Sequence, residues 1–131
     1  MKAVKYGIKS IGPDKNGNIE EHDLIEFGWK RKRDAQALKD GDKMLINVIH
    51  TARILGAVEV VGKQPYSESP GEAYPHRVSC RWIISVPKSE GIRPRDLLGS
   101  KLNPTYRPYQ EITAAQFDKG LAALRKLSKA A

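Results

Sequence analysis

Two apolar, β-branched runs separated by only two residues constrain this chain more than anything else in it: MLINVIH at 44–50 and RILGAVEVVGK at 53–63. They follow DGDK at 40–43, a turn signal, and read as neighbouring buried strands. Whatever the chain becomes must therefore be built around a sheet whose middle is covered.

A third strand is written into GEAYPHRVSCRW at 71–82. Past the proline it alternates, with His76, Val78, Cys80 and Trp82 on one side, continued by Ile84, and Arg77, Ser79 and Arg81 on the other. The strand is expected over about 76–86, ending before PKSEGIRPRD. Before it, QPYSESPGEAYP at 64–75 holds three prolines and reads as a long loop without regular structure. At the front, KAVKYGIKSI at 2–11 reads as a first strand and GPDKNGN as an exposed loop.

Helical signals lie on either side of these strands. From Ile19 to Lys39 the composition turns to Glu, Lys, Arg and Ala, with apolar Leu24, Ile25 and Phe27, which suits one or two short helices. Pro94 and Asp96 suit a short helical turn through Leu98. Thr113 followed by Gln116 is a capping box, Ile112 can pack on Phe117 as a hydrophobic staple, and Phe117, Leu121, Leu124 and Leu127 recur at helical spacing, predicting a helix over 114–128. Strands bracketed by helices, with loops too short for repeated βαβ crossovers, give an α+β class: a small mixed sheet or β-barrel flanked by helices.

At 131 residues one domain over 1–131 is the expectation. No apolar run nears the roughly 20 residues that span a bilayer, and MKAVKYGIKS lacks a signal-peptide core, so the chain reads as soluble and cytoplasmic. The single cysteine, Cys80, excludes an intramolecular disulfide and reads as a small buried hydrophobe. His22, His50 and His76 show no metal-ligand spacing, so neither metal nor cofactor is expected. The 23 basic and 15 acidic residues leave a formal charge of +8, which favours polyanionic partners.

Three segments, in order, resemble the EVE domain family of the PUA-like superfamily, which also holds the YTH and ASCH domains. They are GDKMLINVIHTARILGAVEVVGKQPYSE, YPHRVSCRW and YQEITAAQFDKGLAAL. The resemblance covers about 41–127, with 2–9 as a fitting first strand; 19–40 does not align with the family. It implies a PUA-like, strongly bent sheet with helices around it, and a pocket that recognises a modified base in DNA or RNA between aromatic walls and a basic rim. It also implies, for some members, a separate nuclease partner that the reader directs.

On that view, Arg77 and Arg81 stand about 13 to 14 Å apart along one strand face, a separation that spans neighbouring phosphates; a solvated face with surface ion pairs is the alternative. Trp29 precedes the basic run Lys30, Arg31, Lys32 and Arg33, an aromatic beside cations that suits base stacking with phosphate neutralisation, or equally the packing of a short helix on the sheet. Tyr66 and Tyr74 flank the proline-rich loop and could stack on a base or cover the core. His50, Thr51 and Arg53 occupy the loop between the two buried strands, where similar domains form their pocket, and Asn47 offers a donor and an acceptor to a base edge. Trp82 reads as core.

No nucleophile with its base, carboxylate pair, phosphate-cradling glycine loop or helical metal pair is present in the sequence. A non-catalytic nucleic-acid-binding module is therefore expected. The alternatives are an ASCH-like amidohydrolase acting on a modified nucleoside through His50, Thr51, Glu59 and Lys43, and a protein-interaction module.

Overall fold

The computed structural model describes residues 4–11, 24–29, 32–48, 53–68, 70–71, 75–86, 91–98 and 109–130. In chain order these form β1 (Tyr6–Ile11), β2 (Leu24–Trp29), α1 (Lys32–Gln36), β3 (Lys43–Val48), β4 (Arg53–Val60), β5 (Tyr66–Glu68), β6 (His76–Ser85), α2 (Pro94–Leu98), β7 (Tyr109–Ile112) and α3 (Ala114–Ala130).

The seven strands make one mixed sheet in the order β2-β6-β4-β3-β1-β7, with β5 added alongside β6. The two apolar runs are its central antiparallel pair, β3 with β4. β1 joins β3 in parallel and β7 in antiparallel pairing. A parallel pair needs a crossover, and here the chain between β1 and β3 supplies β2 and α1.

The sheet curls on itself. Trp29 lies on the strand at one end of the order and Tyr109 on the strand at the other, yet their ring centroids are 4.9 Å apart at 68°. The result is a half-barrel whose inner face carries the fully buried Met44, Ile46, Val58, Val60, Val78 and Cys80. Two irregularities assist the bend. Ile46 and Asn47 face Gly56 and Ile54, leaving Leu55 extra, and Ala57 and Val58 face Ile84 and Trp82, leaving Ile83 extra. An extra residue bends its strand and increases local twist. It also moves Ile84 off the face that Val78 and Cys80 share, correcting the unbroken alternation read from the sequence.

The outer face is closed by α3. Phe117 lies against Tyr6, ring centroids 5.3 Å apart, and Leu124 is fully buried. The helix begins as its capping box requires: the Thr113 backbone N–H donates to Gln116 Oε1 at 2.8 Å and the Gln116 N–H to Thr113 Oγ1 at 3.1 Å. Buried Asp42 ties two segments together, Oδ1 accepting from the Lys5 N–H at 3.0 Å and Oδ2 from the Lys39 N–H at 2.9 Å.

Two expectations need correction. The stretch 24–29 is a strand, paired along its length with β6, and among the described residues of that region only Lys32–Gln36 is helical. Ile25, Phe27 and Trp29 in fact alternate with Glu26 and Gly28, a period of two hidden by helix-forming neighbours. The proline-rich stretch also holds a short strand, because Tyr66–Glu68 finds an unpaired segment of β6 opposite Val78, Arg77 and His76.

Gly56 stands where the two irregularities meet. A Cβ there would lie 2.7 Å from the Trp82 ring and 2.8 Å from the Ile84 carbonyl oxygen. Gly56→Ala should destabilise the fold by about 1 to 3 kcal/mol, the usual cost of forcing atoms into a filled interior; an unchanged urea midpoint would refute this account of the bend.

Candidate functional site

Alternation along β1 divides its side chains between the two faces. Tyr6, Ile8 and Ser10 face α3; Gly7 and Lys9 face the inside of the half-barrel. Gly7 is required because the Tyr109 ring lies directly over it, where any Cβ would collide.

Lys9 is therefore a cation inside the sheet. It is 4 % exposed, and its Nζ lies 3.9 Å from the centroid of the Trp29 ring. Among the described residues no carboxylate pairs with it and no acceptor takes a hydrogen bond from it. Burial pushes its ammonium down to about 8, with the neighbouring Cys80 acting the other way. Burial pushes the Cys80 thiol up to about 12, against the pull of Lys9. Tyr109 is likewise pushed up to about 12, by burial first and then by Glu111, Asp42 and Asp34. An indole face returns about 2 kcal/mol to a desolvated cation. Trp29, 3 % exposed, also buries an Nε1–H with no partner among the described residues.

A second polar pair lies on the α3 side. Asn47, 2 % exposed, donates from Nδ2 to Ser10 Oγ at 3.2 Å, while its Oδ1 has no partner among the described residues. A sheet face separates it from Lys9.

A third group forms where β6 begins. Tyr66 and His76 stack, ring centroids 6.1 Å apart at 18°. The Tyr66 hydroxyl lies 2.7 Å from Glu68 Oε1 and 2.9 Å from His76 Nδ1, so its proton serves the carboxylate when His76 donates from Nδ1. Lys32 Nζ lies 3.5 Å from Glu68 Oε1. The Tyr66 hydroxyl, followed by Lys32, holds the Glu68 carboxyl below its ordinary value.

These placements sort the residues singled out from the sequence. Trp29, Tyr66 and His76 share one face at the start of β6, since Trp29 faces His76 across β2 and Tyr66 stacks on His76, whereas Arg77, opposite Gly28 and Ser67, projects from the other face. Lys32 joins them through Glu68, and Arg33 is exposed on α1. The covering that Trp29 needs comes from within the protein, from Lys9 and Tyr109 rather than from a helix. Arg81 is exposed and stands apart, opposite Glu59. Arg53 donates from Nη1 to the Gly91 carbonyl at 2.9 Å, fastening β4 to the segment around Ile92. Lys30, Arg31, His50, Thr51 and Tyr74 lie outside the described residues. Of the four groups considered for amidohydrolase chemistry, Lys43 and Glu59 form an ion pair at 3.8 Å, both partly exposed, and His50 and Thr51 are again outside the description. Among the described residues no cluster of His, Cys, Asp and Glu could hold a metal ion.

The sequence reading missed Lys9, Tyr109 and His76. A lysine in a strand ordinarily marks the solvent face, and nothing local to KYGIKSI says that both of its faces are covered.

Lys9 makes the stability of the fold depend on pH. Its folded value of about 8 lies below the ordinary 10.5, so between those limits the unfolded state binds more protons and stability rises with pH. The full penalty, on the order of 3 kcal/mol, is present below the folded value. Cys80 opposes this from its ordinary 9.0 upwards, because the unfolded thiol ionises first. The expected urea stability profile rises from pH 8 to 9, levels, and falls once Tyr109 adds to the loss above its ordinary 10.0. Lys9→Met should remove the rise; a profile with the same slope in both proteins would refute it.

No protein-family model matches the chain, and no curated protein matches it in sequence. Solved structures do. The Rhodopseudomonas palustris protein Rpa0253 aligns with TM-score 0.64 at 13 % identity, over 95 % of this chain and 95 % of that one. The YTH domain of Zygosaccharomyces rouxii MRB1, solved in complex with N6-methyladenosine RNA, aligns with TM-score 0.59 at 16 % identity, over 93 % of this chain and 85 % of that one. Human THYN1, solved with DNA containing 5-methylcytosine, aligns with TM-score 0.54 at 12 % identity, over 91 % of this chain and 96 % of that one. The likeness is one of fold: a PUA-like curled mixed sheet flanked by helices.

Proposed function

We propose that this chain is a single EVE-like unit that binds nucleic acid and encloses one modified base, without catalysing a reaction. One observation carries the reading. Trp29, Tyr66 and His76 gather on one face at the start of β6, with Lys32 joined to them through Glu68, in a fold shared with a domain solved on N6-methyladenosine RNA and another on 5-methylcytosine DNA. Aromatic rings next to fixed cations are what a splayed-out base and its phosphates require.

The roles divide by chemistry. Tyr66 is the aromatic wall, with Tyr74 added from outside the described residues, and Trp29, whose ring is covered by Lys9 and Tyr109, takes part through its edge. His50, Thr51 and Arg53 contribute polar contacts to the base; Asn47, buried on the α3 side and bonded to Ser10, stays within the fold. Arg77, Arg81 and the run Lys30, Arg31, Lys32 and Arg33 meet phosphates, with the net charge of +8 drawing the polymer in. Without a catalytic group of its own, such a reader acts by delivering a separate partner, a nuclease being the kind its resemblance suggests.

Fluorescence anisotropy with single- and double-stranded DNA and RNA, with and without one 5-methylcytosine or N6-methyladenine, tests this directly. A preference for one modified strand should survive a rise in salt, while total affinity falls by about 0.7 to 0.9 log units per contacted phosphate per log unit of salt. Arg77→Ala should weaken modified and unmodified strands alike and reduce that slope by roughly one phosphate's share. Tyr66→Ala should lower binding of the preferred strand by roughly 1 to 3 kcal/mol, the worth of one stacked base. Equal, weak binding to every strand, lost together as salt rises, would overturn the proposal.

A further inference from the structure

Resting on the reading above, we propose that Lys9 and Trp29 form a two-donor reading site inside the half-barrel. The base they accept is one whose inserted edge carries two neighbouring acceptors, as cytosine and guanine do and adenine does not.

Two neighbouring donors, the Lys9 ammonium and the Trp29 N–H, find no acceptor among the described residues. Lys9, 4 % exposed, holds its ammonium over an indole face with no carboxylate beside it among the described residues, and the same indole buries its own N–H without a partner among them. A buried charge without a counter-charge and a buried donor without an acceptor are each strongly unfavourable. Both shortfalls have the same sign, since both groups donate and neither accepts. They are also adjacent, one above the ring and one at its edge. A single ligand bearing acceptors would answer both.

Base edges differ in what they can offer such a site. Guanine presents N7 and O6 side by side, both acceptors, and cytosine presents N3 and O2. Every adenine edge with two polar atoms places the N6 amino donor next to a ring nitrogen, and N6-methylation leaves one N–H in place. Against two donors, that hydrogen would lie donor to donor. A methyl group at C5 of cytosine leaves N3 and O2 untouched, so 5-methylcytosine fits the site while N6-methyladenine does not. Lys9 can accommodate an incoming ring because its four-carbon stem lets the ammonium leave the indole face without leaving the base edge.

The proton balance supports this geometry. From β6 the group facing Lys9 is Cys80 and from β7 it is Tyr109, both held neutral by burial, with Asp34, Asp42 and Glu111 acting on Tyr109; β3 and β4 face it with apolar Met44, Ile46, Val58 and Val60. Among the described residues of this interior, Lys9 is the group that changes charge as pH passes about 8. An acceptor ligand favours its charged form. Binding therefore takes up a proton above that pH, and apparent affinity falls by up to about tenfold per pH unit there.

The test compares oligonucleotides identical but for one 5-methylcytosine or one N6-methyladenine, titrated into the wild-type chain, Lys9→Met and Trp29→Phe. Titration calorimetry at pH 8.5 in two buffers of different ionisation enthalpy counts the protons taken up. The wild type should prefer the 5-methylcytosine strand by roughly tenfold or more and take up protons. Lys9→Met should lose both the preference and the uptake, and Trp29→Phe, which keeps a ring but no N–H, should lose part of the preference and keep the uptake. Tighter binding of the N6-methyladenine strand, or a preference for 5-methylcytosine that persists in Lys9→Met without proton uptake, overturns the inference and leaves the reader function standing. Equal binding of the 5-methylcytosine, N6-methyladenine and unmodified strands by the wild type overturns both.

Discussion

The contact between Trp29 and Tyr109 holds this structure in its functional shape. It joins the two ends of a sheet that pairing alone would leave open, since β2 and β7 lie at opposite limits of the strand order. An open sheet exposes two rows of unpaired backbone groups and invites pairing with other chains. Bringing the ends face to face limits that exposure and creates an inside. The interior is small, and its contents are therefore specified closely: a glycine at position 7 to admit the Tyr109 ring, and Lys9 beneath the indole.

The parts of the fold legible in the sequence are those whose patterns had no competitor. β3 and β4 are unbroken β-branched runs, β6 shows alternation, and α3 begins with a capping box and continues with leucines at helical spacing. β2 was hidden because Glu26, the basic run and Ala35 supply a helical composition around an alternating Ile25, Phe27 and Trp29. What decided the matter was tertiary: β6 offers a full-length partner from His76 to Arg81. β5 and β7, at three and four residues, are too short to carry a period at all; each exists because a neighbouring strand has unpaired groups to satisfy.

The site was legible in a different measure. Aromatic and basic residues announced themselves by type, and Trp29, Tyr66 and Lys32 do converge, through pairings of β6 that no local pattern encodes, while Arg77 projects from the opposite face. Lys9 was not visible, because a lone lysine in a strand carries no sign of burial. Only the curl, itself dependent on Leu55 and Ile83 as extra residues in their strands, turns that face of β1 inward.

Charge is thus used twice, and the two uses are physically separable. The cations of the outer surface, Arg81 and Arg33 among them, are in contact with water, and what they contribute to holding a polyanion is long-range, indifferent to sequence and weakened by salt. Lys9 lies inside the half-barrel, 4 % exposed, where the surroundings strengthen any hydrogen bond it makes. Salt should therefore act on how tightly the polymer is held, and pH on which base is chosen. A protein that confined its positive charge to the surface would attract nucleic acid without telling one base from another; on the proposed reading, the buried lysine is what would make selection a matter of the interior.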